Sequence, residues 1–83
     1  MQPMTDTRCI AATGSMTRSV RAQRVLLNTG IRAEVVSLSP EQTRNGCAFG
    51  VEYACTEEHR AKMALRNAHV PISQYLRKEQ NMP

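Results

Sequence analysis

The chain has no tryptophan and only three other aromatic residues, Phe49, Tyr53 and Tyr75. Its core must therefore be aliphatic, and each large aliphatic side chain contributes about 1.5–3 kcal/mol when it is fully buried. Because small domains bury only roughly 60% of the surface of the unfolded chain, the sequence supports a single core. We expect one domain over residues 7–76, a disordered tail over residues 1–6 and a polar tail over residues 77–83. A core this thin would benefit from self-association as a homodimer.

The sequence also lacks a long hydrophobic run. No apolar segment approaches the roughly 20 residues that cross a bilayer, and the polar stretch from Met1 to Asp6 lacks the charged-then-apolar pattern of a signal peptide. We therefore expect a cytoplasmic protein without a membrane partner. The formal net charge of +4 favours anionic partners, but it is not concentrated in the dense basic clusters typical of nucleic-acid-binding arms.

Paired cysteine motifs are absent as well. Cys9, Cys47 and Cys55 form no C-x-x-C pair, which argues against both a secreted disulfide framework and a zinc ribbon. We expect all three thiols to be free, with Cys9 and Cys55 packed in the interior. Cys47, Cys55 and His59 would supply only three zinc ligands at unsuitable spacing, so we predict no metal site and no cofactor.

Four segments have the pattern of β-strands. The first of these segments is a short apolar run. The second alternates apolar and polar residues, as in a strand with one solvated face. In the third segment, Phe49, Val51 and Tyr53 share one face. The four predicted strands cover residues 7–12, 31–38, 48–53 and 72–76.

Two segments have the pattern of helices. The first can be capped by Ser15 or Thr17 and ended by Gly30, which can adopt the left-handed conformation. The second can be capped by Thr56 and extends to about Ala68. The expected apolar face of the first helix contains Val20, Val25, Leu26 and Leu27.

This order of elements predicts an α+β fold of the ferredoxin-like split β-α-β type (βαββαβ). In such a fold, two helices cover one face of a four-stranded antiparallel sheet. The other face is open or is used in pairing.

Cys47 is the most distinctive candidate for chemistry, because it follows a polar loop and a glycine. A cysteine reacts as its thiolate, which positive charge and free backbone N–H groups stabilise. Arg44 supplies a charge three residues earlier, and Gly46 gives the turn the freedom to point its amides inward. The start of the first helix, at Gly14 and Ser15, could present further N–H donors. The alternative is that Cys47 is a small buried side chain at the start of a strand.

Several stretches of the chain match one bacterial family. They are Ala12-Thr-Gly-Ser-Met-Thr, the helix end Asn28-Thr-Gly-Ile, the Leu38-Ser-Pro turn and Asn45-Gly-Cys-Ala-Phe-Gly-Val. From roughly Thr7 to Leu76 the chain resembles the selenium/sulfur carrier-like proteins, small domains of otherwise unknown function. The Gly-Cys turn usually reads Gly-Cys-Gly in that family and reads Gly46-Cys47-Ala48 here. The resemblance implies a persulfide or selenopersulfide on Cys47, with a cysteine desulfurase-type donor and an acceptor protein as partners.

Three other functions are open at this point. A non-catalytic interaction module would pair through the open sheet face or an edge strand. An RNA-binding domain would stack bases on Phe49 and Tyr53, although the first strand offers no aromatic platform. The stripe of Arg18, Arg21 and Arg24 could bind phosphate or an acidic partner, or could be a solvated helix face. No hydrolytic triad, paired acids or phosphate loop is present, which favours a carrier or binding protein over an autonomous catalyst.

Overall fold

The computed structural model describes residues 7–39 and 48–78. Its elements are, in order, β1 (Arg8–Ala12), α1 (Met16–Asn28), β2 (Glu34–Ser37), β3 (Phe49–Ala54), α2 (Glu58–Asn67) and β4 (Gln74–Lys78). The strands form one sheet in the order β2-β3-β1-β4, and each neighbouring pair is antiparallel. The predicted α+β fold of split β-α-β type is confirmed. No helix among the described residues is both long and apolar enough to cross a membrane.

Both helices pack on the same face of the sheet and enclose the main core. The core is mostly aliphatic, as the shortage of aromatic residues predicts, and Tyr53 is its largest fully buried side chain. Its buried members are Cys9, Ala11, Ala22, Leu26, Ile31, Ala33, Val51, Tyr53, Ala61, Leu65 and Val70.

The buried face of α1 differs from the predicted one. Ser19, Ala22 and Leu26 are buried, whereas Val20 and Leu27 are 41% and 51% exposed. Each of these two residues follows a buried residue by one position, and one position rotates a helix by about 100°. The expectation that Val20 and Leu27 face the core is therefore wrong.

The start of α2 also differs from the prediction. Thr56 does not cap the helix, because Cys55–Glu57 form a 3-10 turn and α2 begins only at Glu58. The Cys55 amide donates to the Thr7 carbonyl (3.1 Å). Cys55 therefore stays tied to the beginning of β1, and the chain needs this tight turn before it can enter α2.

The second strand is shorter than predicted at its beginning. Ile31 and Ala33 are buried as expected, but they precede β2. The Ile31 amide bonds to the Leu26 carbonyl, and the Gln23 side chain donates to the Ala33 carbonyl. Backbone groups before Glu34 are thus used by α1 rather than by the sheet. The fourth strand begins later than predicted, at Gln74, and continues beyond the predicted end at Leu76 to Lys78.

The face of the sheet away from the helices is not simply open. A second cluster lies there, formed by Ile10, Ala12 and Leu38 with Val36 and Leu76 against them. Gly50 makes this packing possible. A Cβ atom at position 50 would lie 2.8 Å from the Ala11 carbonyl oxygen and 2.9 Å from Ile10 Cγ2. The missing side chain leaves the space that Ile10 fills.

Candidate functional site

The predicted site lies only partly within the described residues. Arg44, Gly46 and Cys47 fall outside them. Gly14 and Ser15 are described, and the chain is described again from Ala48, the residue that follows Cys47.

Backbone hydrogen bonds hold this start of β3 against the turn before α1. The amides of Thr13 and Gly14 both donate to the Phe49 carbonyl, at 3.0 and 3.3 Å. The Leu38 amide donates to the Ala48 carbonyl at 2.7 Å. Phe49 is therefore fixed beside the N-terminal end of α1, and Ala48, which directly follows Cys47, is fixed to Leu38.

The N-terminal end of α1 has positive polarity. Of the two predicted caps, Ser15 and Thr17, it is Ser15 that forms the N-cap, and its side chain accepts a hydrogen bond from the Arg18 amide at 3.1 Å. The helix dipole makes this end positive, and no acidic residue lies in the first turn to neutralise it. The Arg18 guanidinium donates to the Thr13 carbonyl at 3.2 Å and adds a full charge. The site thus contains a cation that the sequence reading did not assign to it.

A buried pair of hydroxyl groups fixes the turn. Thr13 Oγ1 and Ser19 Oγ lie 2.7 Å apart and are both buried, and Thr13 Oγ1 also donates to the Ser15 carbonyl. Gly14 has φ of +94°, a conformation that favours glycine. Ser19 was missed in the sequence, although a serine aligned with Ala22 and Leu26 on a buried helix face signals a polar contact in the core.

The other two cysteines form a disulfide. Cys9 and Cys55 are bonded across a separation of 46 residues, and Cys9 is 1% exposed. The burial of Cys9 is confirmed, but the expectation that these two thiols are free is wrong. Cys9 lies opposite Tyr53 in the sheet, and Cys55 follows Tyr53 by two positions on the same face. Diagonal neighbours of this kind are within reach of each other, a relation that depends on strand register.

The disulfide and the α1 turn lie at opposite ends of β3. Six residues, Phe49–Ala54, separate Ala48 from Cys55. At about 3.3 Å per residue, the five steps from Phe49 to Ala54 span roughly 17 Å, so the two ends are at least that far apart. Since the chain has three cysteines, the pairing of two of them leaves Cys47 as the remaining one.

Tyr53 argues against a base-stacking surface. It lies on the helix-covered face and is fully buried, so it forms no open platform with the half-buried Phe49. Burial, together with the Glu58 carboxylate, raises the pKa of Tyr53 far above its usual value. Among the described residues its hydroxyl has no hydrogen-bond partner. The described residues therefore do not provide the aromatic surface on which the RNA-binding alternative depends.

Within the described ranges 7–39 and 48–78, no cluster of three histidine, cysteine or acidic side chains could hold a metal ion. Cys55 is bonded to Cys9 in the disulfide, so Cys47, Cys55 and His59 cannot act together as zinc ligands.

The fold and the α1 turn define a small split β-α-β domain in which the strand after Cys47 begins at a positively polarised helix end. Residues 8–77 match the family model described as "Putative Se/S carrier protein-like", and the chain belongs to that family. The resemblance stated from the residue stretches is thereby confirmed. No curated protein and no solved structure matches the chain.

Proposed function

We propose that the protein carries sulfur or selenium as a persulfide or selenopersulfide on Cys47. One observation carries this proposal: the Cys9–Cys55 disulfide leaves Cys47 as the remaining cysteine of a chain in a carrier-like family. The position of Ala48 and Phe49 beside the positive end of α1 supports it. That end offers the environment in which a sulfur anion is stabilised.

The transfer step is a thiol–persulfide exchange. The Cys47 thiolate attacks the outer sulfur of a donor persulfide, R–S–SH. A bond forms between Cys47 Sγ and that sulfur, and the S–S bond of the donor breaks. The donor leaves as the thiolate R–S⁻ with the electron pair, while the transferred sulfur keeps its proton until it ionises. Oxidation states balance, because one persulfide replaces another.

The other predicted site residues have supporting roles in this proposal. Arg44 and the Gly46 turn would provide charge and amides from the same segment as Cys47. Gly14 and Ser15 belong to the helix end, where Arg18 adds its guanidinium 3.2 Å from the Thr13 carbonyl. Together they would lower the pKa of the carrier thiol and stabilise the bound persulfide anion. A desulfurase-type enzyme would act as donor, and an acceptor protein would take the sulfur.

The test is intact mass after incubation with a small persulfide donor, glutathione persulfide. We expect the wild-type chain to gain the mass of one sulfur atom and the Cys47→Ser variant to gain none. A reducing agent should remove the added sulfur from the wild type.

The matched control is the double variant Cys9→Ala/Cys55→Ala, which keeps Cys47 and lacks the other two sulfurs. It should load as the wild type does. Equal loading of wild type and Cys47→Ser, or loading that disappears only in the double variant, would contradict the assignment of Cys47.

A further inference from the structure

A groove runs between α1 and α2 on the outer side of the helix layer. It has a volume of about 500 Å³, which lies within the range of binding sites. Its floor is apolar, since Val25, Ala64 and Ala68 pack against the core with their outer surfaces in the groove. Met63 forms one wall and is 44% exposed.

Two arginines cross the ends of this groove. At one end, Arg21 of α1 donates to the carbonyl of Ala68, the C-cap of α2, at 3.3 Å. At the other end, Arg60 of α2 donates to the carbonyl of Thr29, the C-cap of α1, at 2.7 Å. Each contact uses one of the five N–H donors of a guanidinium. Arg60 also bonds to Glu57 at 2.6 Å, so the free positive charge is at the Arg21 end.

The helix layer as a whole carries an excess of positive charge. Its two acidic residues, Glu57 and Glu58, are each paired with a cation of the same segment, Arg60 and Lys62. Among the described residues, the α1 arginines have no acidic partner, and α1 contains no acid. Within residues 7–39 and 48–78, the cations of the layer that have no acidic partner are Arg18, Arg21, Arg24 and Arg66.

Helical spacing places part of this charge along the groove. Positions 18, 21, 25 and 29 follow one another by three, four and four residues, which puts Arg18 and Arg21 on the same side of α1 as Val25 and Thr29. The groove thus combines an apolar floor with a positive border on its α1 side.

We propose that this groove binds an amphipathic helix of a partner protein, with apolar residues on the floor and acidic residues against Arg18 and Arg21. Helix-in-groove binding is a common mode of peptide recognition, and it matches apolar anchors to a groove of this kind. Opposite charges across the border would orient the helix and speed its association. The apolar floor lies apart from the Cys47 segment, since Val25 is ten residues, or about 15 Å, along α1 from the Ser15 cap, and only Arg18 is shared with the proposed carrier site.

Two other occupants fit less well. A second copy of the chain would bring an equally basic helix layer to the groove, and like charges would oppose it. A nucleic acid would find cations along the groove, but in the groove lining only the His59 ring and no Phe, Tyr or Trp to stack a base.

The test uses two synthetic stapled helical peptides that share leucines at every third or fourth position. One peptide has glutamate at all polar positions, and the other has lysine there. Each is titrated into the ¹⁵N-labelled full chain, and the amide shifts are followed. We expect the glutamate peptide to shift amides of residues 21–29 and 59–68, with the lysine peptide far weaker.

Charge reversal at the border gives the sharper comparison. Arg21→Glu should weaken binding of the glutamate peptide about tenfold. Arg32→Glu, the same charge change at an exposed residue between α1 and β2, should leave it within about twofold. Met63→Glu alters the exposed wall without touching the core, and it should also weaken binding.

Four results would overturn the proposal. They are an absence of shifts in the groove, equal binding of both peptides, equal loss of binding in Arg21→Glu and Arg32→Glu, and a single-stranded oligonucleotide that shifts the same amides more strongly than the glutamate peptide. Concentration-dependent shifts of these amides without peptide, together with a dimer in sedimentation, would assign the groove to a second copy instead.

Discussion

The two ends of the central strands β1 and β3 are held together in different ways. At one end, the Cys9–Cys55 disulfide joins the beginning of β1 to the end of β3 covalently. At the other end, the Thr13 and Gly14 amides hold the Phe49 carbonyl through hydrogen bonds alone. The second end is where the chain leaves the segment that contains Cys47.

Under the proposed function, this difference separates the end of β3 that stabilises the fold from the end where the chemistry would take place. A disulfide restricts the unfolded chain and needs no polar groups around it. The α1 turn instead combines a positive helix end with the Arg18 guanidinium, both of which would stabilise a sulfur anion, although the Thr13 and Gly14 amides already donate to the Phe49 carbonyl. Because the two ends lie roughly 17 Å apart or more along β3, we expect changes at one end to leave the other largely unaffected.

The largest loss of unfolding free energy should come from removing the Cys9–Cys55 disulfide. Cys9→Ala/Cys55→Ala opens a loop closed over 46 residues, and the chain-entropy estimate for such a loop is about 4 kcal/mol of unfolding free energy. Denaturant unfolding measures it, with Cys47→Ser as the variant that keeps the disulfide. A loss below about 1 kcal/mol would show that the two ends contribute alike.

A smaller loss should follow at the hydrogen-bonded end. Ser19→Ala removes the buried partner of the Thr13 hydroxyl, so we expect a loss of about 1–2 kcal/mol in the same unfolding experiment. Thr17→Ala, on the exposed side of the same helix, should change stability by less than about 0.5 kcal/mol. If both variants behave alike, the Thr13–Ser19 contact does not hold the turn.

The smallest expected change in unfolding free energy is a gain rather than a loss, and it tests the core beside the disulfide. Tyr53→Phe removes a buried hydroxyl that lacks a partner among the described residues, so at neutral pH we expect a gain of up to about 1 kcal/mol. In the wild type, burial raises the pKa of Tyr53 above the ordinary value of 10.0. The folded state therefore holds this proton more tightly than the unfolded state does, and its contribution to stability is present below pH 10 and decreases above it.

Unfolding at neutral pH and at about pH 11 checks this prediction. The advantage of Tyr53→Phe over the wild type should grow at the higher pH. Tyr75 has a raised pKa as well, but the residue is 37% exposed, so Tyr75→Phe should show a smaller change. An advantage that is constant with pH would mean that the Tyr53 hydroxyl is solvated in the folded protein.

Local sequence patterns were sufficient for most of the fold. The alternation of Phe49, Val51 and Tyr53 predicted β3, and Gly30 and one of the two cap candidates, Ser15, marked the limits of α1, because these signals act within a few residues. The same local reasoning misplaced Val20 and Leu27. The apolar residues of α1 are spread over a wider part of the helix surface than the face that packs on the sheet, so some of them stay exposed.

The candidate site was less predictable for a physical reason. Gly14 and Ser15 could be named because a turn before a helix is a local feature, but Arg18 joined the site through its contact with the Thr13 carbonyl. The sequence left Arg21 open between a binding stripe and a solvated helix face and gave no role to Arg60, whereas the antiparallel helices place each guanidinium beside the C-terminal carbonyl of the other helix. Such contacts depend on how elements pack and leave no periodic signal.

The amino-acid sequence alone determined the number and order of the strands and helices, the aliphatic character of the core and the family resemblance, since all of these follow from residue type and short-range spacing. Only the tertiary structure decided which cysteines pair. Cys9 and Cys55 are far apart in the chain and adjacent only through the register of β1 against β3. Register is a long-range property, set when the two strands align their buried faces.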